Sequence, residues 1–380
     1  MPAPFGINVI GFVSARLGLG VAARATISAL VASAVPVAVV DLQLPDGRSQ
    51  ADLTWAHLNI TSADALPHAF NLVHMNPTEA AVLWQNYPQW FARSRNAIVP
   101  FFELMDVPND WIGQLSRYDV VFAATEHIAA AVRNMLAVPI RRFPIAADVA
   151  AISVAERALY NLPEDRFLFV TTLDTDSGLN RKNGIGALRA FANAFGSRKD
   201  VALVIKTNGL ARHPELERAM ATMPPESVYV VDRYLPYNEV LALYAACDAF
   251  VSLHRAEGLG LGLMEMMLLG KPVVATGWSG NMDFMSDDTA ALVNYIYTPV
   301  VDTQVAYASG AFMRPQMWAE PNLLHAGELM ARLVDDPAYR DALASRGQLA
   351  VAARRQAFFG GGAATLLRSF YESAARGEKP

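Results

Sequence analysis

The chain has 380 residues, of which 53% are hydrophobic and 18% charged, with a net charge of −5. That length suits two or three domains with sizeable cores, and the acidic balance leaves no basic surplus for a general affinity for nucleic acid. Cys247 is the only cysteine, which excludes an intrachain disulfide and a thiolate metal cluster.

In chain order, short β-branched runs alternate with longer helical runs, the pattern of parallel sheets with crossover helices. The first half offers strands at "INVIGFV", "VPVAVVDL", "FNLVHM", "NAIVPFFE" and "YDVVFAAT", with helices over Val21–Val31, Pro77–Asn86 and His127–Leu136. Prolines and charge interrupt the pattern over 144–165, which reads as a linker. A second series follows, with strands "FLFVTTL", "VALVIK", "SVYVVD", "DAFVSLH", "PVVAT" and "AALVNY". Its helices fall over Gly184–Phe195, Tyr237–Ala246 and Leu261–Leu269, and "AATLLRSFYESAAR" reads as a terminal helix. No run reaches the ~18 apolar residues of a membrane span. The apolar start has no basic region before it, so a secretory leader is not expected.

The chemistry concentrates after strand "DAFVSLH", at Glu257-Gly258-Leu259-Gly260. Glycines let the backbone approach a ligand closely, and the following helix directs free N–H groups into the same space. Residue types alone leave two readings open there: a ligand loop, or a tight turn with Glu265 favoured by the helix dipole. Gly18 and Gly20 form a comparable loop after "INVIGFV", without the three-glycine spacing or placed acid of a dinucleotide fingerprint. Arg181 and Lys182 follow "FLFVTTL", with Asn183 as N-cap of the next helix, and Lys206 closes "VALVIK". "DTD" at 174–176 reads as a loop cap or a partner for Arg181 in preference to a Mg²⁺ or Mn²⁺ site. His74 ends the strand "FNLVHM" and reads as structural. Ser279, Gly280 and Asn281 read equally as a turn or as a cleft lining.

"EGLGLGLME" resembles the E-x7-E motif of retaining glycosyltransferases of family 4. "SLHRAEGLGLGLMEMMLLGKPVVATGWSGNMDFM" is similar to the nucleotide-sugar site of that family's bacterial polysaccharide and lipopolysaccharide members. "TLDTDSGLNRKNGIGALRAFANAF" resembles the start of the same domain, and "WAEP" its later part. The first half resembles the family only through "LGLGVAAR" and "PFFEL". The resemblance implies an α/β chain of GT-B fold, two doubly wound Rossmann-like domains facing a central cleft. An acceptor-side domain would cover 1–155 and a nucleotide-sugar domain 156–355, while the final helix in 356–380 could pack on either half, a return onto the first being the reading taken.

By the same resemblance Glu257 holds donor-sugar hydroxyls and Glu265 the ribose hydroxyls, while backbone amides of Gly258, Leu259, Gly260 and Leu261 touch sugar and diphosphate. Family members place an Arg near the end of the first strand of this domain, where this chain has Asp174. Which two of Arg181, Lys182 and Lys206 meet the diphosphate therefore stays open. Gly18 and Gly20 would face the donor phosphates and the acceptor, Arg233 the base and His254 the sugar. Glu103 stands where relatives carry a histidine near the transferred sugar, as a catalytic or acceptor-binding group.

The implied activity is retaining transfer of a sugar, such as a hexose, from a nucleoside-diphosphate sugar to an acceptor hydroxyl, without metal or other cofactor. The acceptor would be a saccharide or lipid-linked saccharide in polysaccharide or glycoconjugate assembly. The expected place is the cytoplasm, with peripheral contact at the inner face of the membrane through Arg133, Arg141 and Arg142. Two alternatives stay open: a sugar-nucleotide epimerase of the same fold, and a non-catalytic nucleotide-sugar-binding subunit.

Overall fold

The computed structural model describes residues 5–44, 52–60, 66–149, 152, 154–173, 178–302, 307 and 311–375. They divide into two compact units, Met1–Ala147 with Ala308–Gln316 and Ala353–Pro380, and Asp148–Tyr307 with Met317–Ala352.

The first unit holds β1 (Ile7–Gly11), β2 (Val37–Asp41), β3 (Phe70–His74), β4 (Arg95–Ile98), β5 (Val120–Ala123) and β6 (Ile140–Arg142). All pair in parallel in the order β2-β1-β3-β4-β5-β6. Ile7, Val9, Ile10, Phe70, Leu72 and Val73 are fully buried, as expected for strands covered on both faces. The crossovers are α1 (Gly18–Ala32), α2 (Pro77–Asn86), α3 (Pro88–Phe91), α4 (Asn109–Leu115) and α5 (Glu126–Arg133).

The second unit repeats the plan with β7 (Phe167–Leu173), β8 (Val201–Thr207), β9 (Val228–Asp232), β10 (Ala249–Ser252), β11 (Val273–Thr276) and β12 (Ala291–Val293). Their order is β12-β11-β10-β7-β8-β9, again parallel. A separate antiparallel hairpin joins β13 (Tyr295–Pro299) to β14 (Met317–Pro321), which contains the "WAEP" stretch. Helices α6 (Leu179–Lys182), α7 (Gly184–Phe195), α8 (Pro214–Ala221), α9 (Tyr237–Ala246), α10 (Leu261–Leu268) and α11 (Leu323–Asp335) complete it. Phe169, Phe191 and Leu203 anchor its core.

The 21-residue α12 (Pro337–Ala357) returns the chain to the first unit. At Gly360 and Gly361 the helical geometry breaks, with φ +103° at Gly361, a backbone state that glycine adopts without a Cβ penalty. The chain then enters α13 (Ala363–Ala375). Phe370 of α13 is fully buried against Phe70 and Phe122, with ring centroids 5.8 and 5.7 Å away. Each such phenyl contributes about 1.5–3 kcal/mol by leaving water.

Three sequence expectations shift. β4 stops at Ile98, because Pro100 has no N–H for the ladder, so Glu103 lies in the following loop and does not end a strand. α1 begins at Gly18, not Val21, so Gly18 and Gly20 belong to its first turn. A Cβ at Gly20 would meet the carbonyl oxygens of Ala15 at 2.5 Å and Phe12 at 2.7 Å, and that close approach is why glycine serves there. β10 stops at Ser252, leaving His254 in the loop beyond it. Among the described residues no helix is long and apolar enough to cross a membrane.

Candidate active site

The loop after β10 is fixed from three sides. The backbone N–H of Arg255 donates to the Arg181 carbonyl at 2.7 Å, and the Ala319 N–H donates to the Arg255 carbonyl at 2.9 Å. The Arg255 guanidinium binds Glu320 of β14 with two hydrogen bonds, through Nε at 2.5 Å and Nη2 at 3.1 Å. From the turn after β11, Ser279 Oγ accepts from the Glu257 N–H at 2.9 Å, and the Gly280 N–H donates to the Glu257 carbonyl at 2.8 Å. Ser279 adopts φ +82° to do this, a conformation that costs a side-chain-bearing residue on the order of 1–3 kcal/mol.

Asn183, at φ +54°, caps α7 with its Oδ1 on the Gly186 N–H and sends its Nδ2 to the Leu253 carbonyl at 2.9 Å. This holds the end of α6 beside the β10 loop. Arg181 is consequently buried, at 3% exposure, with Nη1 on the Ala256 carbonyl at 2.9 Å and 3.6 Å from Glu257 Oε2. Lys182 Nζ donates to the same carboxylate oxygen at 2.5 Å. Burial by itself would raise the pKa of Glu257, but Lys182, Arg181 and His254 outweigh it and hold the acid down at about 2. Glu257 is therefore an ionised acceptor at neutral pH.

Gly260 caps α10 in the left-handed region, at φ +88°. It offers no side chain to the helix end, and the first intrahelical bond runs from the Met264 N–H to the Gly260 carbonyl. The N–H groups of Leu261, Gly262 and Leu263 precede that bond, so the helix start remains suited to an anion. One turn further on, Glu265 is 4% exposed and accepts from the Tyr237 hydroxyl at 2.7 Å. Burial pushes its pKa up to about 7, although the Tyr237 bond works in the opposite direction.

His254 supports this loop rather than opening onto it. It is fully buried, and its Nε2 faces the Trp278 carbonyl at 3.2 Å and Asn281 Oδ1 at 3.1 Å. Two oxygen neighbours require the proton on Nε2, so Nδ1 accepts from the Ser252 hydroxyl at 3.0 Å. Burial lowers its pKa to about 4. Both nitrogens thus have partners within the protein, on Ser252 and on Trp278 and Asn281.

The structure brings Arg181, Lys182, Glu257 and the Gly258–Leu261 backbone together, with Glu265 on the adjoining helix. Lys206 stands near the end of β8, opposite Thr172 in register, with Nζ 3.4 Å from the Thr207 carbonyl. Arg233 is exposed in the turn after β9. Gly18, Gly20 and Glu103 belong to the first unit, where the Glu103 carbonyl meets His127 Nε2 at 2.8 Å. The 174–176 acids lie outside the described residues. Among the described ones, no group of three or more His, Cys, Asp or Glu is placed to hold a metal. Sequence reasoning missed Tyr237 and the Arg255–Glu320 pair, since neither belongs to a spaced motif.

Two parallel six-stranded sheets layered with helices, with a glycine loop and uncapped helix start after a strand end, define the GT-B fold class. Residues 164–306 match the family model described as glycosyl transferases group 1. The chain thus carries a glycosyltransferase domain, and the matched segment contains the whole Glu257 constellation. By sequence, no curated protein matches. Among solved structures, sucrose-phosphate synthase from Thermosynechococcus elongatus is similar with a TM-score of 0.68 at 15% identity, covering 97% of this chain and 100% of that one. HepE of Anabaena in complex with UDP and glucose follows at 0.66 and 14%, covering 95% and 99%. An alpha,alpha-trehalose-phosphate synthase (UDP-forming) from Burkholderia vietnamiensis gives 0.63 and 12%, covering 98% and 100%. At these identities the likeness speaks for the fold.

Proposed function

We propose that this chain is a retaining glycosyltransferase of the family 4 type, moving a sugar from a UDP-sugar to an acceptor hydroxyl in saccharide or glycoconjugate assembly. The observation that carries the reading is Glu257, kept ionised between Lys182 and Arg181 beside the uncapped start of α10. A carboxylate accepts sugar hydroxyls, while a lysine and free helix-end amides suit a diphosphate. The UDP complex of HepE and the UDP-forming synthase favour uridine as the base.

In this reading Lys182 and the amides of 261–263 take the diphosphate, and Glu257 exchanges part of its bond to Lys182 for donor-sugar hydroxyls. Arg181, buried on the Ala256 carbonyl, positions Glu257 and adds positive potential as the diphosphate departs. Glu265, with Tyr237, receives the ribose diol. Stabilising charge that builds on the leaving phosphate, and holding the acceptor beside the anomeric carbon, supply the rate enhancement. The C1–O bond to the diphosphate breaks, and the acceptor oxygen forms the new bond on the same face. Its proton passes to the departing diphosphate. No metal is assigned a step.

The test is incubation with UDP-glucose and a panel of saccharide acceptors, with the anomeric coupling of the product read by proton NMR. An α-linked product with release of UDP is expected. A β-linked product would overturn retention, and isomerised UDP-sugar without transfer would replace the reading by an epimerase.

A further inference from the structure

Glu257 is held through its main chain by a turn whose own polarity is decided elsewhere. The turn runs from Thr276, at the end of β11, to Asn281, and none of its side chains carries a formal charge. Asn281 is fully buried. Its Nδ2 donates to the Thr276 carbonyl at 3.1 Å, and its Oδ1 lies 3.1 Å from His254 Nε2. The Ser279 hydroxyl points to the same Oδ1 at 3.5 Å, a long contact that orients more than it binds.

Two backbone carbonyls fix every proton in this chain of contacts. A carbonyl only accepts, so the Trp278 carbonyl beside His254 Nε2 requires a proton on that nitrogen. The Ser252 hydroxyl then donates to Nδ1. The Thr276 carbonyl likewise requires the NH2 end of Asn281. A flipped carboxamide would set Oδ1 against the Thr276 oxygen and the NH2 against the protonated Nε2. With Oδ1 accepting from His254 and Ser279, both its lone pairs are used. Ser279 has directed its single hydroxyl hydrogen to Asn281 and offers only lone pairs, which the Glu257 N–H meets at 2.9 Å. Ser279 also keeps φ +82°, a state that persists only where its surroundings over-determine it.

We propose that Asn281 is a positioning residue for Glu257. Its carboxamide, locked by His254 and the two carbonyls, holds Ser279 as the acceptor for the Glu257 N–H and so sets where the carboxylate stands. The consequence for transfer rests on the donor reading, in which that carboxylate meets the donor sugar. The nucleotide end of the site, with Tyr237 on α9 and Glu265 on α10, draws on none of these residues. Loosening the chain of contacts therefore lowers sugar transfer and spares nucleotide binding.

Hydrogen exchange at the Glu257 amide and transfer kinetics, both on the full chain, test it together. Asn281→Ala, and His254→Leu, which removes the Nε2 donor, should each speed exchange at that amide about tenfold or more. Both should lower kcat for UDP release from UDP-glucose at least about tenfold, with UDP affinity within about threefold of wild type by calorimetry. His254→Gln, whose amide N–H reaches the place of the imidazole Nε2–H, should keep exchange and kcat within about threefold of wild type. Unchanged exchange in the first two variants, His254→Gln no better than His254→Leu, or UDP affinity lost together with transfer would each overturn the proposal. The exchange arm decides the clamp even if wild type transfers no sugar, a result that would count against the donor reading alone.

Discussion

Glu257 and Glu265 share one loop and helix, yet their surroundings drive them in opposite directions. Glu257 has two cations beside it and stays ionised down to about pH 2, whereas Glu265 has a single hydroxyl and titrates near 7. The signs differ for stability. Glu257, with a lowered folded pKa, contributes stability that is present above about pH 4.5 and lost as pH falls toward 2. Glu265, with a raised folded pKa, contributes stability that is present below about pH 4.5 and lost as pH rises through 7. Replacing it by Gln, which can still accept from Tyr237, removes that loss. Glu265→Gln should therefore gain up to about 3 kcal/mol over wild type at pH 8, and little at pH 4.5. Urea denaturation at the two pH values reads this, and an equal effect at both would contradict the assignment.

The same residues separate in binding. Glu265→Ala should weaken UDP itself about tenfold, because the proposed function puts the lost contacts on the ribose. Glu257→Ala should leave UDP affinity within about threefold while lowering transfer from UDP-glucose at least a hundredfold. Calorimetry with UDP and a UDP-release assay distinguish them. Identical small effects from both substitutions would return the pair to a turn and a buried acid.

Among the elements, the turn after β11 positions the site. A Cβ on Gly280 would stand 1.9 Å from the Gly258 carbonyl oxygen, 2.4 Å from its carbonyl carbon and 2.9 Å from the Glu257 carbonyl oxygen. Gly280→Ala must push the clamp away from Glu257, so a loss of about 2 kcal/mol or more in stability is expected, together with a raised KM for UDP-glucose. A variant with unchanged melting and kinetics would show that the clamp yields without consequence. This element was only half legible in the sequence. "GLGLGLME" announces close backbone approach and a helix start, because glycine and periodic apolar residues carry those signals locally. That Ser279 holds the Glu257 N–H across 22 positions is a tertiary fact with no local signature. The end of β4 was misplaced for a related reason: the apolar run continues through Phe102, and only Pro100 marks the stop.

For the molecule as a whole, alternating strand and helix periods gave the class, and two parallel six-stranded sheets follow from it. The segment 311–316 was not legible. It joins the first unit through the carboxylate of Asp106, which takes two bonds from Arg314 and one from Gln316. A contact about two hundred positions apart leaves no pattern along the chain. The return of α13 to the first unit, by contrast, rests on Leu367 and Phe370 at core-facing spacing.

The central claim, that the unit containing 164–306 is built to bind a nucleoside-diphosphate sugar, is tested most directly by thermal unfolding with UDP-, GDP-, ADP- and dTDP-sugars. A ligand at about 100 times its dissociation constant adds about 2.7 kcal/mol. The account predicts a melting temperature raised by several degrees with UDP-glucose, more than with the other bases, and a smaller rise in Glu265→Ala. No rise with any of the four nucleotides would contradict it.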